Sequence, residues 1–263
     1  MLRPRLITLT TDFGTHDWFV GTMKGVIHGT APRAAIIDLT HEIAPGDIRA
    51  GAFALAAGYR FFPLGTVHVV VVDPGVGSAR RGIAVRSRDY FFVGPDNGVL
   101  SWALAREKIL ALHRLENQNY FLKPVSRTFH GRDVFAPVAA HLCRGVPIRK
   151  LGPPAKDFVR LDWPAPTKTA RGLRGEVVYI DRFGNAITNI EASRLPNLRP
   201  IAVVLNGKRL CSVADFYQAV APGRPVAVAG SSGFLEIAIN GGNAARGLRI
   251  HVGATVVLRI PSD

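Results

Sequence analysis

Residues 66–77 read T-V-H-V-V-V-V-D-P-G-V-G, an almost unbroken apolar and β-branched run that stops at Asp73 in a glycine-rich turn. Such a run is typical of a strand that is buried on both faces of a parallel sheet. Further strand patterns cover 5–10, 34–39 and 90–93, and helical patterns cover 18–28 and 48–60, with Asp47 as the predicted N-cap of the second helix. This alternation predicts an N-terminal α/β domain whose largely parallel sheet is covered by helices.

Three of these strands stop at polar residues in glycine-rich turns, namely at Asp12, at Asp73 and at Asp96-Asn97. Asp, Asn and Gly are good turn formers, and this property explains any one of the turns by itself. In open α/β sheets, however, ligands bind outside the carboxyl ends of the strands. Three such turns in one sheet therefore favour a functional site at this edge.

The pattern changes around residues 152–172, where G-P-P at 152–154 and W-P-A-P-T at 163–167 cannot continue a helix or an inner strand. Short strand patterns separated by turns then cover 175–181, 185–190, 201–205, 225–229, 234–239 and 254–260. This spacing predicts a smaller C-terminal domain, an antiparallel β-barrel-like fold or a sandwich. We place the boundary near residue 168, so that the predicted domains cover 1–167 and 168–263.

The composition is that of a folded globular protein. Hydrophobic residues form 48% and charged residues 20% of the 263 residues, which excludes a mainly disordered chain. No apolar run approaches the roughly 20 residues that cross a bilayer, and the first residues lack an apolar stretch followed by small residues. Cys143 and Cys211 are too few for a disulfide framework or a cysteine-based zinc site. These features predict a cytoplasmic protein that has no membrane partner.

The formal net charge of +14 suggests a nucleic-acid partner at first sight. The arginines are scattered, however, and their densest groups, Arg80-Arg81 and Arg86-Ser87-Arg88, are short. The sequence has no basic tail, no zinc-finger spacing and no aromatic and basic strand of the RNA-recognition type. We therefore interpret the charge as a general property of the surface and predict no nucleic-acid partner.

Several common catalytic motifs are missing from the chain. It has no phosphate-binding loop ending in Gly-Lys-Ser/Thr, no Gly-x-Ser-x-Gly turn and no His-Glu-x-x-His pair, and its histidines are dispersed. We therefore predict no metal site. What remains is a set of polar residues in turns, namely His130 before an apolar helix, Asp181 to Asn185 between two strands, and Ser231-Ser232 followed by Glu236. Taken singly, each is explained as a helix cap or a turn.

Six separated motifs carry a more specific signal when they are read together. They are I-T-L-T-T-D-F-G at 7–14, V-D-P-G-V-G-S-A-R at 72–80, V-G-P-D-N-G at 93–98, T-F-H-G-R-D at 128–133, I-D-R-F-G-N at 180–185 and G-S-S-G-F-L-E-I-A at 230–238. In this order they resemble the S-adenosylmethionine hydroxide adenosyltransferases, the adenosine-forming S-adenosylmethionine hydrolases related to fluorinase and chlorinase. The resemblance spans about residues 5–260, with both domains in order.

The resemblance implies an N-terminal α/β domain, a C-terminal β-barrel-like domain and a homotrimer with active sites between subunits. It also implies the reaction. Water or hydroxide attacks the ribose C5′ of S-adenosylmethionine, the small-molecule partner, and expels methionine to leave adenosine. The leaving group is a neutral thioether, so no general acid is needed, and neither a metal nor a cofactor is required.

The same resemblance implies roles for individual residues. The catalytic Asp-Arg-His set of the family falls on Asp73, Arg80 and His130. An arginine and a histidine suit a water-poor pocket that stabilises hydroxide, and an aspartate can orient these groups or accept a proton. The substrate-binding residues of the family fall on Asp12, Asp17, Asn97, Asp181, Phe183, Asn185, Phe216, Ser231, Ser232 and Glu236. Phe216 is carried over by spacing alone, and Asp17 has an alternative role as the cap of the helix near Trp18.

Two other functions remain open. Transfer of a halide is disfavoured because Asp73 stands where the halogenases carry an uncharged side chain, and a buried carboxylate there repels halide. In addition, Gly46 stands where fluorinase has a tryptophan, and segment 86–90 is short where fluorinase has a long insertion, although Gly131 is shared with chlorinase. A non-catalytic protein that binds S-adenosylmethionine or adenosine would use the same pocket. An intact Asp-Arg-His set favours the enzyme over such a protein.

Overall fold

The structure, a computed structural model, describes residues 6–170, 172–195 and 201–259. The chain divides into two compact units, Met1–Leu161 and Asp162–Asp263. This division and the boundary predicted near residue 168 both lie in the proline-rich stretch over 152–172. The domain bounds of 1–167 and 168–263 stay a prediction.

A six-stranded mixed sheet forms the centre of the first unit. Its strands are β1 (Leu6–Thr11), β2 (Ala35–Thr40), β3 (Val67–Val71), β4 (Gly82–Ser87), β5 (Phe91–Pro95) and β6 (Ile109–Arg114), in the order β2-β1-β3-β5-β4-β6. The first four strands in this order are parallel, whereas β4 pairs antiparallel with β5 and with β6. The predicted α/β fold with a largely parallel sheet is confirmed. The sequence patterns missed β4 and β6.

Strand β3 is buried along its whole length because apolar layers cover both faces of the sheet. Val67 and Val69 belong to one layer, and Val70 and Val72 belong to the other. Alternate residues of a strand point to opposite faces, so a strand that is covered on both sides needs apolar residues at nearly every position. The prediction from the run over 66–72 is therefore confirmed.

Helices cover this sheet on its two faces. They are α1 (Phe19–Thr30), α2 (Ile48–Gly58), α3 (Ser101–Leu104) and α4 (Ala136–Cys143). Asp47 is the N-cap of α2, as predicted, and its Oδ1 accepts from Ala50 N at 2.9 Å. The N-cap of α1 is Trp18 and has no side-chain cap, so the alternative role of Asp17 as a cap is wrong. The longest helix of the described residues, α1, has 12 residues, too few to cross a membrane.

The second unit is a closed barrel of seven strands with one further strand at its side. After β7 (Thr167–Thr169), the barrel strands are β8 (Gly172–Ile180), β9 (Ala186–Glu191), β10 (Ala202–Leu205), β11 (Lys208–Ala214), β12 (Pro225–Ala229), β13 (Phe234–Ile239) and β14 (Thr255–Arg259). Their order is β14-β10-β11-β12-β13-β9-β8, and pairing of β14 with β8 closes the ring. A short helix, α5 (Ala244–Gly247), lies between β13 and β14.

All six strands predicted for this unit are present, and the barrel-like fold is confirmed. Residue 260, the predicted end of the last strand, lies outside the described residues. Two features differ from the prediction. Strands β7 and β11 were missed, and β11 pairs with β12 in parallel, whereas all strands were expected to be antiparallel. Strand β11 begins with Lys208 and Arg209, and this charged start weakens its apolar pattern.

Candidate active site

The three polar turns predicted to form a site follow neighbouring strands of the sheet. Asp12 comes after β1, Asp73 after β3 and Asp96 after β5, and these strands are adjacent and parallel. The carboxyl ends of parallel strands lie at the same edge of a sheet. The fold therefore brings the three turns to one edge.

The turn after β3 places Arg80 against Asp73. Arg80 donates from Nε to Asp73 Oδ1 at 2.8 Å and from Nη2 to Asp73 Oδ2. The side chains of Asp73 and Arg80 are only 4% and 12% exposed, so water screens this ion pair weakly. A two-pronged contact of this kind fixes the plane of the guanidinium group. Because both carboxylate oxygens are engaged with Arg80, the geometry favours the orienting role of Asp73 over the acceptance of a proton.

Hydrogen bonds within the turn bring the two residues together. Val76 N donates to Asp73 O at 3.1 Å, and Ser78 N donates to Gly75 O at 3.1 Å. The Ser78 hydroxyl also donates to Gly75 O, and it accepts from Arg80 N at 3.2 Å. The serine thus acts as a local brace that directs the chain from Asp73 back to Arg80.

Gly77 allows this turn to pack against the segment that leads to His130. Its φ is +77°, a conformation that residues with a Cβ rarely adopt. A Cβ at this position would lie 2.2 Å from Arg127 O, far inside van der Waals contact. The close approach of the two segments therefore requires glycine.

His130 forms a group of three side chains with Asp73 and Arg80. Arg80 Nη2 lies 2.8 Å from His130 Nδ1. Arginine has no acceptor, so Nδ1 must accept the hydrogen bond and the neutral ring must carry its proton on Nε2. Burial, and after it the positive charge of Arg80, lower the pKa of His130 below its usual 6.5. The imidazole is therefore neutral at neutral pH.

The donors of Arg80 and His130 are not all used within the protein. Arg80 has five N–H groups, of which three bond to Asp73 and His130 and a fourth, on Nη1, reaches Arg81 O at 3.4 Å. In the described part of the chain, one Nη1–H of Arg80 and the Nε2–H of His130 have no protein acceptor. Two fixed donors suit an oxygen atom on which negative charge develops.

Asp12 and Asp17 lie in the loop after β1 and differ in how firmly they are held. Asp12 Oδ2 accepts from Gly46 N at 2.8 Å, which ties the loop to the chain that precedes α2. The Asp17 side chain is 50% exposed, and its contact with His16 spans 3.6 Å. Their predicted roles in binding substrate stay predictions.

The turn after β5 holds a structural contact as well as a candidate site residue. Asp96 is almost fully buried and accepts from Arg81 Nε at 2.7 Å and from Val159 N at 2.7 Å. Asn97 donates from Nδ2 to Val72 O at 2.8 Å and accepts from Val99 N at 3.1 Å. These contacts stabilise the turn, and the predicted contact of Asn97 with substrate stays a prediction.

In the barrel unit, the turn between β8 and β9 holds Asp181 and Asn185. Asp181 Oδ1 accepts from Asn185 N at 2.8 Å, and its Oδ2 accepts from Asn185 Nδ2 at 3.0 Å. Phe183, at the tip of the same turn, is 74% exposed. The turn therefore presents an aromatic ring and a fixed carboxylate next to each other in sequence.

Glu236 lies on β13 and is buried beside Tyr217, whose hydroxyl donates to Glu236 Oε1. Burial raises the pKa of Glu236, the charge of Asp181 raises it further, and the hydrogen bond from Tyr217 opposes both. Burial and the contact with Glu236 raise the pKa of Tyr217 to about 12. The charge of Asp181 thus acts on Glu236, and the predicted contacts of both residues with substrate stay predictions.

Three further predicted residues of this unit differ in exposure. Ser231 and Phe216 are exposed, with Phe216 at 59%. The Ser232 hydroxyl is buried, and it has no hydrogen-bond partner among the described residues. The contacts of all three with substrate stay predictions.

A cavity of about 810 Å³ borders the group in the first unit. Arg80 and His130 line it, together with Gly82 at the start of β4, Arg114 at the end of β6 and the segment after β6. In the described ranges, no three His, Cys, Asp or Glu side chains lie close enough together to hold a metal ion.

Comparison with known proteins identifies the family. The model of the SAM hydroxide adenosyltransferase N-terminal domain matches residues 7–152, and the model of the C-terminal domain matches residues 175–257. The chain belongs to the SAM hydroxide adenosyltransferase family. Both matches fall in the expected order and agree with the resemblance seen in the six motifs.

Named relatives match nearly the whole length of this chain. It is 41% identical over 242 residues to the (R)-S-adenosyl-L-methionine hydrolase of Salinispora tropica, covering 91% of this chain and 92% of the relative. It is 40% identical over 263 residues to the protein of the same name from Thermus thermophilus, and the match covers 97% of this chain and 99% of the relative. A fluorinase from an Actinoplanes species is more distant, at 28% identity over 96% and 97% of the two chains.

Solved structures agree with this fold assignment. An uncharacterized conserved protein from Thermotoga maritima superposes with a TM-score of 0.92 at 36% identity, covering 97% of this chain and all of the other. A conserved hypothetical protein from Thermus thermophilus superposes with a TM-score of 0.81 at 38% identity, and the match covers 97% of this chain and 99% of the other. The SAM hydroxide adenosyltransferase fold is thus present over almost the whole chain.

The sequence analysis missed one buried group, around His41, near the candidate site. His41 Nδ1 lies 2.8 Å from Thr11 Oγ1, and His41 Nε2 lies 3.0 Å from Asp38 Oδ1. Thr11 directly precedes Asp12, so this chain of contacts supports the loop that carries Asp12. The D-L-T-H spacing at 38–41 was the available signal, but nothing in the sequence links it to residue 11.

Proposed function

We propose that this protein hydrolyses S-adenosyl-L-methionine (SAM) to adenosine and L-methionine. The observation that supports the proposal most directly is the contact of Asp73, Arg80 and His130 in a chain about 40% identical to named SAM hydrolases. The alternatives, a halide-using synthase and a binding protein without turnover, find less support, because the fluorinases are the more distant relatives and the donor group has no evident use in a pure binder.

The reaction is a displacement at one carbon. An oxygen–C5′ bond forms, the C5′–sulfur bond breaks, and its electron pair passes to the sulfonium, which leaves as the neutral thioether of methionine. When water is the nucleophile, its proton passes to solvent. The leaving group gains no negative charge, so the protein must stabilise the attacking oxygen and align it with the bond that breaks.

Arg80 and His130 suit the stabilisation of that oxygen. The remaining Nη1–H of Arg80 and the Nε2–H of His130 bind the nucleophile and favour its hydroxide character. Asp73 acts through Arg80 as a positioning residue, since both its oxygens are occupied by the guanidinium. The neutral state of His130 matters because a protonated ring would lose the bond from Arg80 and repel it.

The substrate contacts in this proposal follow the family. The carboxylate of Asp12 binds the ribose hydroxyls, and Asp181 binds the α-ammonium group of the methionine part. Further contacts to SAM are proposed for Asp17, Asn97, Phe183, Asn185, Phe216, Ser231, Ser232 and Glu236. The exposed ring of Phe183 and the fixed turn of Asp181 and Asn185 support an accessible binding surface on the barrel unit.

The proposal includes the remaining properties of the family. The reaction uses neither a metal nor an organic cofactor. The protein acts in the cytoplasm as a homotrimer with active sites between subunits, and it needs no nucleic-acid partner.

Incubation of the purified protein with SAM tests the function. We expect adenosine and methionine to appear in equal amounts by chromatography, in buffer without added metal and at an unchanged rate when EDTA is present. The Asp73→Asn variant is expected to turn over at least about a hundredfold more slowly, because Arg80 loses its charged anchor. Binding of SAM without products would contradict the proposal, and so would 5′-halo-5′-deoxyadenosine as the main product in chloride or fluoride.

A further inference from the structure

The cavity beside Arg80 and His130 has fixed walls. One wall is the segment after β6, which includes Gln118, Lys123 and Val125. Asp133 holds the part of this segment over residues 122–126, because Leu122 N donates to its backbone oxygen at 2.8 Å and Ser126 N donates to its Oδ2 at 2.8 Å. The Asp133 side chain is fully buried. The cavity is therefore a built feature of the first unit.

The cavity touches two of the three residues in the group of Asp73, Arg80 and His130. Arg80 and His130 line it, whereas Asp12 and Asp73 are not among the lining residues described. The two residues that line the cavity are those that retain free N–H donors. An oxygen atom that enters through the cavity thus encounters Arg80 and His130 without passing Asp12, the proposed ribose contact.

Displacement at C5′ requires the nucleophile and SAM to enter the site by different routes. The nucleophile must approach from the side opposite the sulfonium, and a bound SAM that excludes water also blocks its own entrance. From these observations we infer that the cavity is the route by which the water nucleophile reaches Arg80 and His130. This inference rests on the proposed hydrolysis of SAM, and it specifies which residues outside the substrate contacts control that step.

Charged side chains form part of the lining. Arg80, Arg81, Arg114 and Lys123 line the cavity, and Glu116 is the carboxylate among its described lining residues. The charges of Arg80, Arg81 and Arg114 are compensated by their ion pairs with Asp73, Asp96 and Glu116. The lining is therefore polar enough to hold water. The apolar side chains of Leu115, Phe121, Val125 and Val134 complete the lining.

Filling the cavity tests the inference. Val125 is 37% exposed on the wall, so a Val125→Trp variant places a large ring at the cavity without disturbing the core. We expect kcat for adenosine formation to fall at least about tenfold, while KM for SAM stays within about twofold, because supply of the nucleophile and not substrate binding is affected. Gln118→Trp fills the same cavity from an exposed 3-10 turn and is expected to act in the same direction.

Leu110→Trp is the matched control, since Leu110 is 50% exposed on β6 and does not line the cavity. It is expected to keep the wild-type kcat and KM, and thermal unfolding confirms that all three variants are folded. Wild-type kcat in both Val125→Trp and Gln118→Trp would overturn the inference, as would an equal loss in Leu110→Trp. If the wild-type protein itself forms no adenosine, it is the proposed function that fails.

Discussion

Replacement of Arg80 by methionine is expected to lower kcat for SAM hydrolysis by about a thousandfold. The change removes the Nη1–H donor that is available to the nucleophile, and it removes the bond that orients His130. KM for SAM is expected to change little, because Arg80 acts on the attacking oxygen. Chromatographic rates at several SAM concentrations separate the two constants.

Arg80→Met also leaves the carboxylate of Asp73 buried without its partner, and this destabilises a protein by about 3–5 kcal/mol. The double variant Asp73→Asn/Arg80→Met removes that charge and is the folded comparison. Arg80→Lys keeps the charge but not the planar fork, so it is expected to remain far below the wild-type rate. Arg88→Met is the control, since Arg88 is 71% exposed and pairs with Asp89 at the surface. A rate within tenfold of wild type in the double variant would contradict the role of Arg80.

Substitution of Gly77 by alanine is expected to destabilise the first unit by about 3 kcal/mol. The backbone at Gly77 has φ +77°, and the added Cβ meets Arg127 O at 2.2 Å, so the turn or the segment before His130 must move. Because the turn carries Asp73 and Arg80, the movement is also expected to lower kcat. Urea denaturation gives the change in the free energy of unfolding.

The Gly145→Ala variant separates the cost of a positive φ from the cost of the steric clash with Arg127. Gly145 lies in the same unit with φ +86°, and a Cβ there has no neighbour within 4 Å. We expect this variant to lose only the conformational part, about 1 kcal/mol. Equal losses in Gly77→Ala and Gly145→Ala would show that the contact with Arg127 has no importance for stability.

The sequence predicts the fold well where local patterns reflect burial. The apolar run over 66–72 indicates a strand with two covered faces, and Asp47 is recognisable as a helix cap from its position. The strands that were missed have weaker patterns. Strand β6, for example, carries the exposed Leu110 and two partly buried basic residues, His113 and Arg114, so neither alternation nor an apolar run marks it.

The site is predictable only in part, because its contacts join distant parts of the chain. Arg80 and His130 are 50 residues apart, and no spacing rule links them, so the family resemblance supplied the group. The structure adds the contacts within the group. The two-pronged contact favours the orienting role of Asp73 over the acceptance of a proton, and the donor position on Arg80 determines which nitrogen of a neutral His130 carries the proton.

In the proposed mechanism, a neutral His130 accepts from Arg80 and offers its Nε2–H to the nucleophile. Nitrogen-15 NMR of histidine-labelled protein measures the protonation state and tautomer of this ring, with the His130 signal identified by its loss in His130→Gln. We expect a bare Nδ1 and a protonated Nε2 at neutral pH. Since the pKa of His130 is lowered below its usual 6.5, we also expect this form to persist on acidification after exposed histidines have become charged. A proton on Nδ1, or a charged ring at neutral pH, would contradict the role proposed for His130.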